Sequence, residues 1–430
     1  MTTPPTTRIS PINKGLGHFD RDLTAAEIAA LGWNLLREDL VLPTAVLYRN
    51  KLLSNHQWMR RFTDAYNVRL APHGKTSMAP QLFHLQLEGG AWGITLATAH
   101  QVLAAYTHGI RRILMANQLV GRPNMAVLSR LLRDPAFEFY CLVDSAAGAD
   151  HLGSFFSEQG QSVNVLIELG VPNGRTGIRT EQQLAEVLAA LDRNPALRLC
   201  GVEVYEGVLD NEPAIRAFLQ HAVTIARRLL AENRFAQKPI LTGAGSAWFD
   251  LVAEEFTAAN SANSAPFDIL LRPGCYLTHD AGSYERAHQR MCQTNPVARS
   301  IHPGLETALH IWAYVQSIPE PTRAIIGLGR RDAAFDSGLP IPALHYRPSS
   351  AQSSSAQSSQ TAPTPAPAHW EVTKLMDQHA YLRIDPDDDL KIGDMLAFDI
   401  CHPCLTFDKW RTIPILDADY NVIDLAQTLF

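Results

Sequence analysis

From residue 44 the chain alternates short β-branched or apolar runs with stretches of helical spacing, and this alternation leaves few folds open to its first 300 residues. The candidate strands are Ala45 to Tyr48, Arg69 to Pro72, Gly93 to Ala97, Arg112 to Ala116, Phe137 to Val143, Val163 to Leu169, Leu197 to Tyr205, Ile240 to Thr242 and Asp268 to Leu271. Most are followed by an amphipathic stretch, such as Leu52, Met59, Phe62 and Tyr66, or Leu219, Val223, Ala226 and Leu230. Repeated β-α units of this kind read as an α/β fold with a parallel sheet. Nine runs are one more than an eight-stranded barrel needs. Either one is not a strand or the first belongs to another domain.

After about residue 300 the helical periodicity fades, and runs such as Ala308 to Gln316, Arg323 to Gly327 and Met395 to Ile400 are separated by glycine, proline and aspartate. This texture predicts a β domain. The expected organisation is an N-terminal extension over 1–40, a barrel over 41–300 and a β domain over 301–430. Inside the last, Ser349 to Ala368 is serine, glutamine, alanine, threonine and proline with no charged or large apolar side chain, and reads as a disordered insertion.

Of the 430 residues 46% are hydrophobic and 19% charged, the balance of a globular chain with a large core. A net charge of -6 offers no basic field for phosphate backbones, so nucleic acid is not an expected partner. Met1 to Arg8 has no apolar stretch of signal length behind it and no segment approaches a membrane span, so a cytoplasmic protein is expected. Six scattered cysteines suit reduced thiols or metal ligands better than disulfides.

Reactive groups are expected where strands end. Lys75, in Pro72-His73-Gly74-Lys75-Thr76, follows the second run; a loop lysine is ordinarily a solvated charge, but at a strand end it also suits a Schiff-base lysine for a carbonyl cofactor. Pyridoxal phosphate would further need a phosphate nest and partners for its ring. Thr242-Gly243-Ala244-Gly245-Ser246 and Arg272-Pro273-Gly274-Cys275-Tyr276 are the nest candidates, since small residues at a strand-to-helix turn let backbone N–H groups approach an anion. Arg175 and Arg272 are the cations that could face the ring, against a surface salt bridge as the plain alternative. Near the C-terminus, Cys401-His402-Pro403-Cys404 permits a redox pair, half of a structural zinc site, or His402 with Cys404 as ligands of an open catalytic metal, zinc by ligand type.

The segments Pro72 to Thr76, Ala116-Asn117-Gln118, Arg175-Thr176-Gly177, Tyr205-Glu206-Gly207, Arg272 to Tyr276, Asp377-Gln378-His379 and His402-Pro403-Cys404 occur together and in order. In this the chain resembles the fold-type III pyridoxal phosphate enzymes related to D-serine dehydratase and D-threonine aldolase, over roughly residues 40 to 420. The resemblance implies an alanine-racemase-like (β/α)8 barrel followed by a β domain, with Lys75 carrying the Schiff base. It also implies that His402 and Cys404 hold a divalent metal at the substrate's β-hydroxyl. His73, Gln118, Tyr205, Thr242, Gly243, Gly245, Ser246, Gly274, Cys275 and Tyr276 are its further cofactor-side candidates. Aldolases of this family resemble one another in a histidine and aspartate pair, dehydratases in a histidine and cysteine; this chain has the cysteine. Thr406 to Trp410 and the stretch Gly329 to Pro340 look like the bacterial amino-acid deaminase branch. Gln378-His379-Ala380 departs from the family's Glu-His-Gly, so no role is assigned there.

The activity so implied is β-elimination of water from a D-3-hydroxy amino acid, with retro-aldol cleavage as the alternative, in a homodimer. The third possibility, a non-catalytic cofactor-binding regulator, is a single barrel and would lack the β domain.

Overall fold

A computed structural model describes residues 8–260, 265–348 and 362–430. The first strand, β1 (Thr44–Tyr48), is followed by eight strands that pair in parallel: β2 (Arg69–Leu70), β3 (Ile94–Leu96), β4 (Arg112–Gln118), β5 (Glu138–Val143), β6 (Val163–Leu169), β7 (Leu197–Val204), β8 (Ile240–Gly243) and β9 (Asp268–Leu271). Their order is β2-β9-β8-β7-β6-β5-β4-β3. A parallel bridge from His73 to Thr95, with Trp92 N–H donating to Leu70 C=O at 2.6 Å, brings the ends together into a barrel.

The strands read as near-continuous apolar runs because both faces are covered. In β6, Val163, Val165, Ile167 and Leu169 pack outward in the helix-covered core, while Leu166 joins the inner cluster of Ala71, Trp92, Leu114, Tyr140, Cys200 and Leu270. The two-residue period then turns Glu168, at the carboxyl end, inward. Outside, the helix Glu212–Ala231 begins at an Asn211 cap that accepts from Ala214 N–H at 3.0 Å, and lays Ile215, Leu219, Ala222, Ala226 and Leu229 against the sheet.

The remaining strands are β10 (Leu309–Glu320), β11 (Arg323–Ile326), β12 (Ile341–Tyr346), β13 (Thr364–Pro365), β14 (Glu371–Leu375), β15 (Ala380–Arg383), β16 (Met395–Asp399), β17 (Thr412–Leu416) and β18 (Val422–Gln427). They form a second, mainly antiparallel sheet on the path β13-β12-β16-β10-β1-β17-β18, with β11, β14 and β15 attached at β10. All nine runs of the β-α region are therefore strands, and the first lies in the other sheet: β1 pairs antiparallel with β10 and parallel with β17, although it falls within the range expected for the barrel. The reason is burial on both faces. Ala45 and Leu47 face the large core, while Val46 and Tyr48 face a second cluster built from Ile9, Leu16, Phe19, Leu23, Ile28, Trp33 and Leu35 of the N-terminal segment.

Residues 349–361 of the serine-rich segment lie outside the described residues. Its end departs from the expected disorder, since Thr364 and Pro365 pair with His345 and Leu344 and Ala366 N–H donates to Ala343 C=O at 3.0 Å. Among the described residues, no helix is long and apolar enough to cross a membrane.

Candidate active site

At the carboxyl ends of the barrel strands lies a cavity lined by side chains from both halves of the chain. Lys75 enters from the short helical turn Gly74–Thr76 that follows β2. Gly274 of the β9 turn packs so tightly against this turn that a Cβ would stand 2.6 Å from the His73 carbonyl oxygen and 2.7 Å from Thr76 Oγ1. Only glycine allows that approach. The Lys75 side chain is exposed to the cavity yet surrounded by protein, and this desolvation pulls its ammonium below the usual lysine range, against an upward pull from Cys404. His73 beside it is held well below the usual imidazole pKa by burial, then by the charges of Lys75, Arg272 and Arg175.

The two nest candidates meet. Ser246 Oγ accepts from Gly274 N–H at 3.2 Å and from Cys275 N–H at 3.1 Å, tying the β8 and β9 turns together on the cavity wall. Arg272 is buried and donates to Glu203, which points inward from β7, and to Val204 C=O at 2.9 Å. Burial pushes the Glu203 carboxyl up, and the guanidinium opposes that shift. Arg175 is half exposed on the same wall, with its guanidinium carbon 4.6 Å from the Tyr205 ring centre.

Two buried nitrogens, Arg272 Nε and His73 Nδ1, have no hydrogen-bond partner. Such groups are costly unless a ligand or water supplies the missing bond. Together with the turn amides and the close Gly274 approach, they fit a compact anionic aromatic cofactor: pyridoxal phosphate would take Lys75 at its carbonyl, the Ser246, Gly274 and Cys275 groups at its phosphate, and the Arg272 side at its ring.

The β domain adds Cys404, at the start of the helical turn Cys404–Phe407, to the same wall. Its sulfur lies 3.4 Å from Thr76 Oγ1 and 3.8 Å from Cys275 Sγ. Hydrogen bonds from Cys275 and His402 pull its thiol well below the ordinary range, while the interactions of His402 with Cys404 and Asp336 raise the imidazole to about 9. Asp336 meets His402 Nδ1 at 2.7 Å, the kind of carboxylate partner that orients a histidine for metal binding. Thiolate with imidazole suits zinc. Among the described residues no group of three His, Cys, Asp or Glu side chains is arranged to hold a metal.

Of the residues expected from sequence, His73, Lys75, Arg175, Tyr205, Gly245, Ser246, Arg272, Gly274, Cys275 and Cys404 line the cavity, and His402 adjoins it through Cys404. Four do not reach it. Thr242 donates to Leu270 C=O at 2.9 Å inside the sheet, and Gly243 is absorbed in β8. Gln118 donates to Glu168 at 2.5 Å while its neighbour Asn117 lines the wall, and the Tyr276 hydroxyl turns away to accept from Gln86 at 3.0 Å. Unexpected members are Thr76, Asn117 and Tyr284 on the wall, with Glu203, Glu206 and Asp336 behind it. Glu206 and Asp336 fall within segments that carried the resemblance; no motif marks Tyr284.

A closed parallel barrel with a strand-end lysine, a pair of serine-linked turns and a mainly antiparallel second sheet define the class of fold-type III pyridoxal phosphate enzymes. Residues 48–280 match the alanine racemase N-terminal domain family, and residues 308–416 match the serine dehydratase domain family. The chain belongs to the alanine racemase N-terminal domain family. It is 26% identical over 317 residues to a D-threonine aldolase of Arthrobacter sp, covering 71% of this chain and 76% of that one. It is 30% identical over 184 residues to a D-threo-3-hydroxyaspartate dehydratase of Delftia sp. (strain HT23), covering 41% and 47%. A solved structure of D-threo-3-hydroxyaspartate dehydratase, a cysteine-to-alanine variant in the metal-free form, superposes with a TM-score of 0.70 at 21% identity over 92% of this chain and 99% of that one.

Proposed function

We propose that this protein is a lyase that uses pyridoxal phosphate and a divalent metal, zinc by ligand type, to eliminate water from a D-3-hydroxy amino acid such as D-serine or D-threonine, giving an oxo acid and ammonia. The observation that carries this reading is the placement of Cys404, two residues after His402, on the cavity wall that also holds Lys75. When bound, the cofactor supplies an electron sink for the α-carbon and the metal supplies Lewis acidity at the β-hydroxyl.

Lys75 would hold the cofactor carbonyl, and its amine is the group placed to take the substrate α-proton. Desolvation in the cavity lowers its pKa, the direction a proton acceptor needs. His73 and the Arg272 side chain would face the ring, and Ser246 with the Gly274 and Cys275 turn it bridges would hold the phosphate. His402 and Cys404 hold the metal, with Asp336 fixing the imidazole. The D preference rests on the family resemblance.

Retro-aldol cleavage uses the same groups on another bond, and the aldolase relative matched over 71% of the chain favours keeping it in view. D-threonine separates the two. Elimination yields 2-oxobutanoate and ammonia; accumulation of glycine and acetaldehyde instead would overturn the dehydratase reading.

A further inference from the structure

We infer that Glu206 is a positioning residue for the cofactor phosphate: it satisfies the first amides of the β8 turn itself and so reserves Ser246 and the β9 turn for the phosphate. The inference rests on the pyridoxal phosphate reading of the cavity. Glu206 opens the short turn Glu206–Val208 that follows β7, and its side chain is fully buried. Its carboxylate accepts from Ala244 N–H at 3.0 Å and from Gly245 N–H at 2.6 Å. Two successive amides aimed at one anion form a nest. Here the anion is the protein's own.

The turn is held in a conformation its sequence does not favour. Ala244 sits at φ +84°, in the region that glycine adopts freely and other residues rarely do. Charge-assisted bonds to Ala244 and the next amide offset that strain and fix where Ser246 follows. Ser246 Oγ in turn meets the Gly274 and Cys275 amides, so a single carboxylate behind the wall sets the spacing of two turns on it. A buried carboxylate placed next to a phosphate dianion would be strongly repelled. The geometry avoids this by turning the 244 and 245 amides toward Glu206, which leaves the phosphate to Ser246, Gly274 and Cys275. The nest read from the sequence over Thr242 to Ser246 is therefore divided, with only its last residue serving the cofactor.

The test compares pyridoxal phosphate with pyridoxal, which lacks the phosphate, by titrating each into cofactor-stripped wild type and Glu206→Gln and following the yellow absorbance of the lysine adduct. A neutral amide cannot accept from both N–H groups with the strength of a carboxylate, so affinity for pyridoxal phosphate should fall by about tenfold or more while that for pyridoxal changes less than about twofold. Equal losses for both ligands, or no loss for either, would overturn the inference. Should Glu206→Gln fail to fold, Glu206→Asp, one methylene too short to span both amides, should show the same split. Wild type that forms no yellow adduct with either ligand would overturn the cofactor reading itself, which separates that failure from this one.

Discussion

Lys75 and Cys404 come from opposite ends of the chain, and the proposed reaction divides between them. Lys75→Ala should abolish both the yellow chromophore and turnover, read by absorbance and product assay; retained turnover would remove Lys75 from the chemistry. Cys404→Ala should lose elimination while the chromophore persists. The Arg272–Glu203 pair makes a different prediction. Both partners are buried, so Arg272→Leu leaves a carboxylate with no counter-charge and should destabilise the fold by about 3–5 kcal/mol in denaturant unfolding, more than any exposed ion pair here would. The legibility of these residues follows from where they sit. Lys75 and Arg272 stand in polar turns after strands, where a charge interrupts the apolar pattern. Glu203 lies inside the run of β7 among valines, and its inward direction follows only once the barrel gives the strand two different faces.

At the level of elements, β1 was legible as a strand but its partners were not. Its neighbours β10 and β17 lie in the last third of the sequence, and five buried residues look alike in a barrel strand and in the middle of another sheet. Likewise, Thr364–Pro365 has no strand pattern of its own and pairs because the returning chain passes β12. The helix Ser283–Thr294 carries a pH-dependent contribution. His288 on its buried face accepts from Leu305 N–H at 3.2 Å, stacks edge-on against Trp58 and is lowered by burial from 6.5 to about 4. A base harder to protonate when folded stabilises the native state above its unfolded pKa, and that contribution is lost as the pH falls from 6.5 toward 4. The full change is about 3 kcal/mol. Denaturant midpoints should therefore fall more steeply between neutral and mildly acidic pH in wild type than in His288→Asn; parallel slopes would mean the imidazole already protonates in the folded protein.

For the molecule as a whole, the second sheet belongs to the proposed active site because it places Cys404 on the cavity wall that also holds Lys75. The family resemblance implies a homodimer. Sedimentation should find a dimer, and a monomer at working concentration would contradict that implication. The central claim is that the cofactor lysine and the metal pair together run an elimination. Its most direct test is oxo-acid release from D-serine by the cofactor-loaded protein, before chelation, after chelation and after zinc is returned, with the chromophore followed throughout. Pyruvate and ammonia should form, stop on chelation with the chromophore intact, and resume with zinc; release unaffected by chelation would contradict the account.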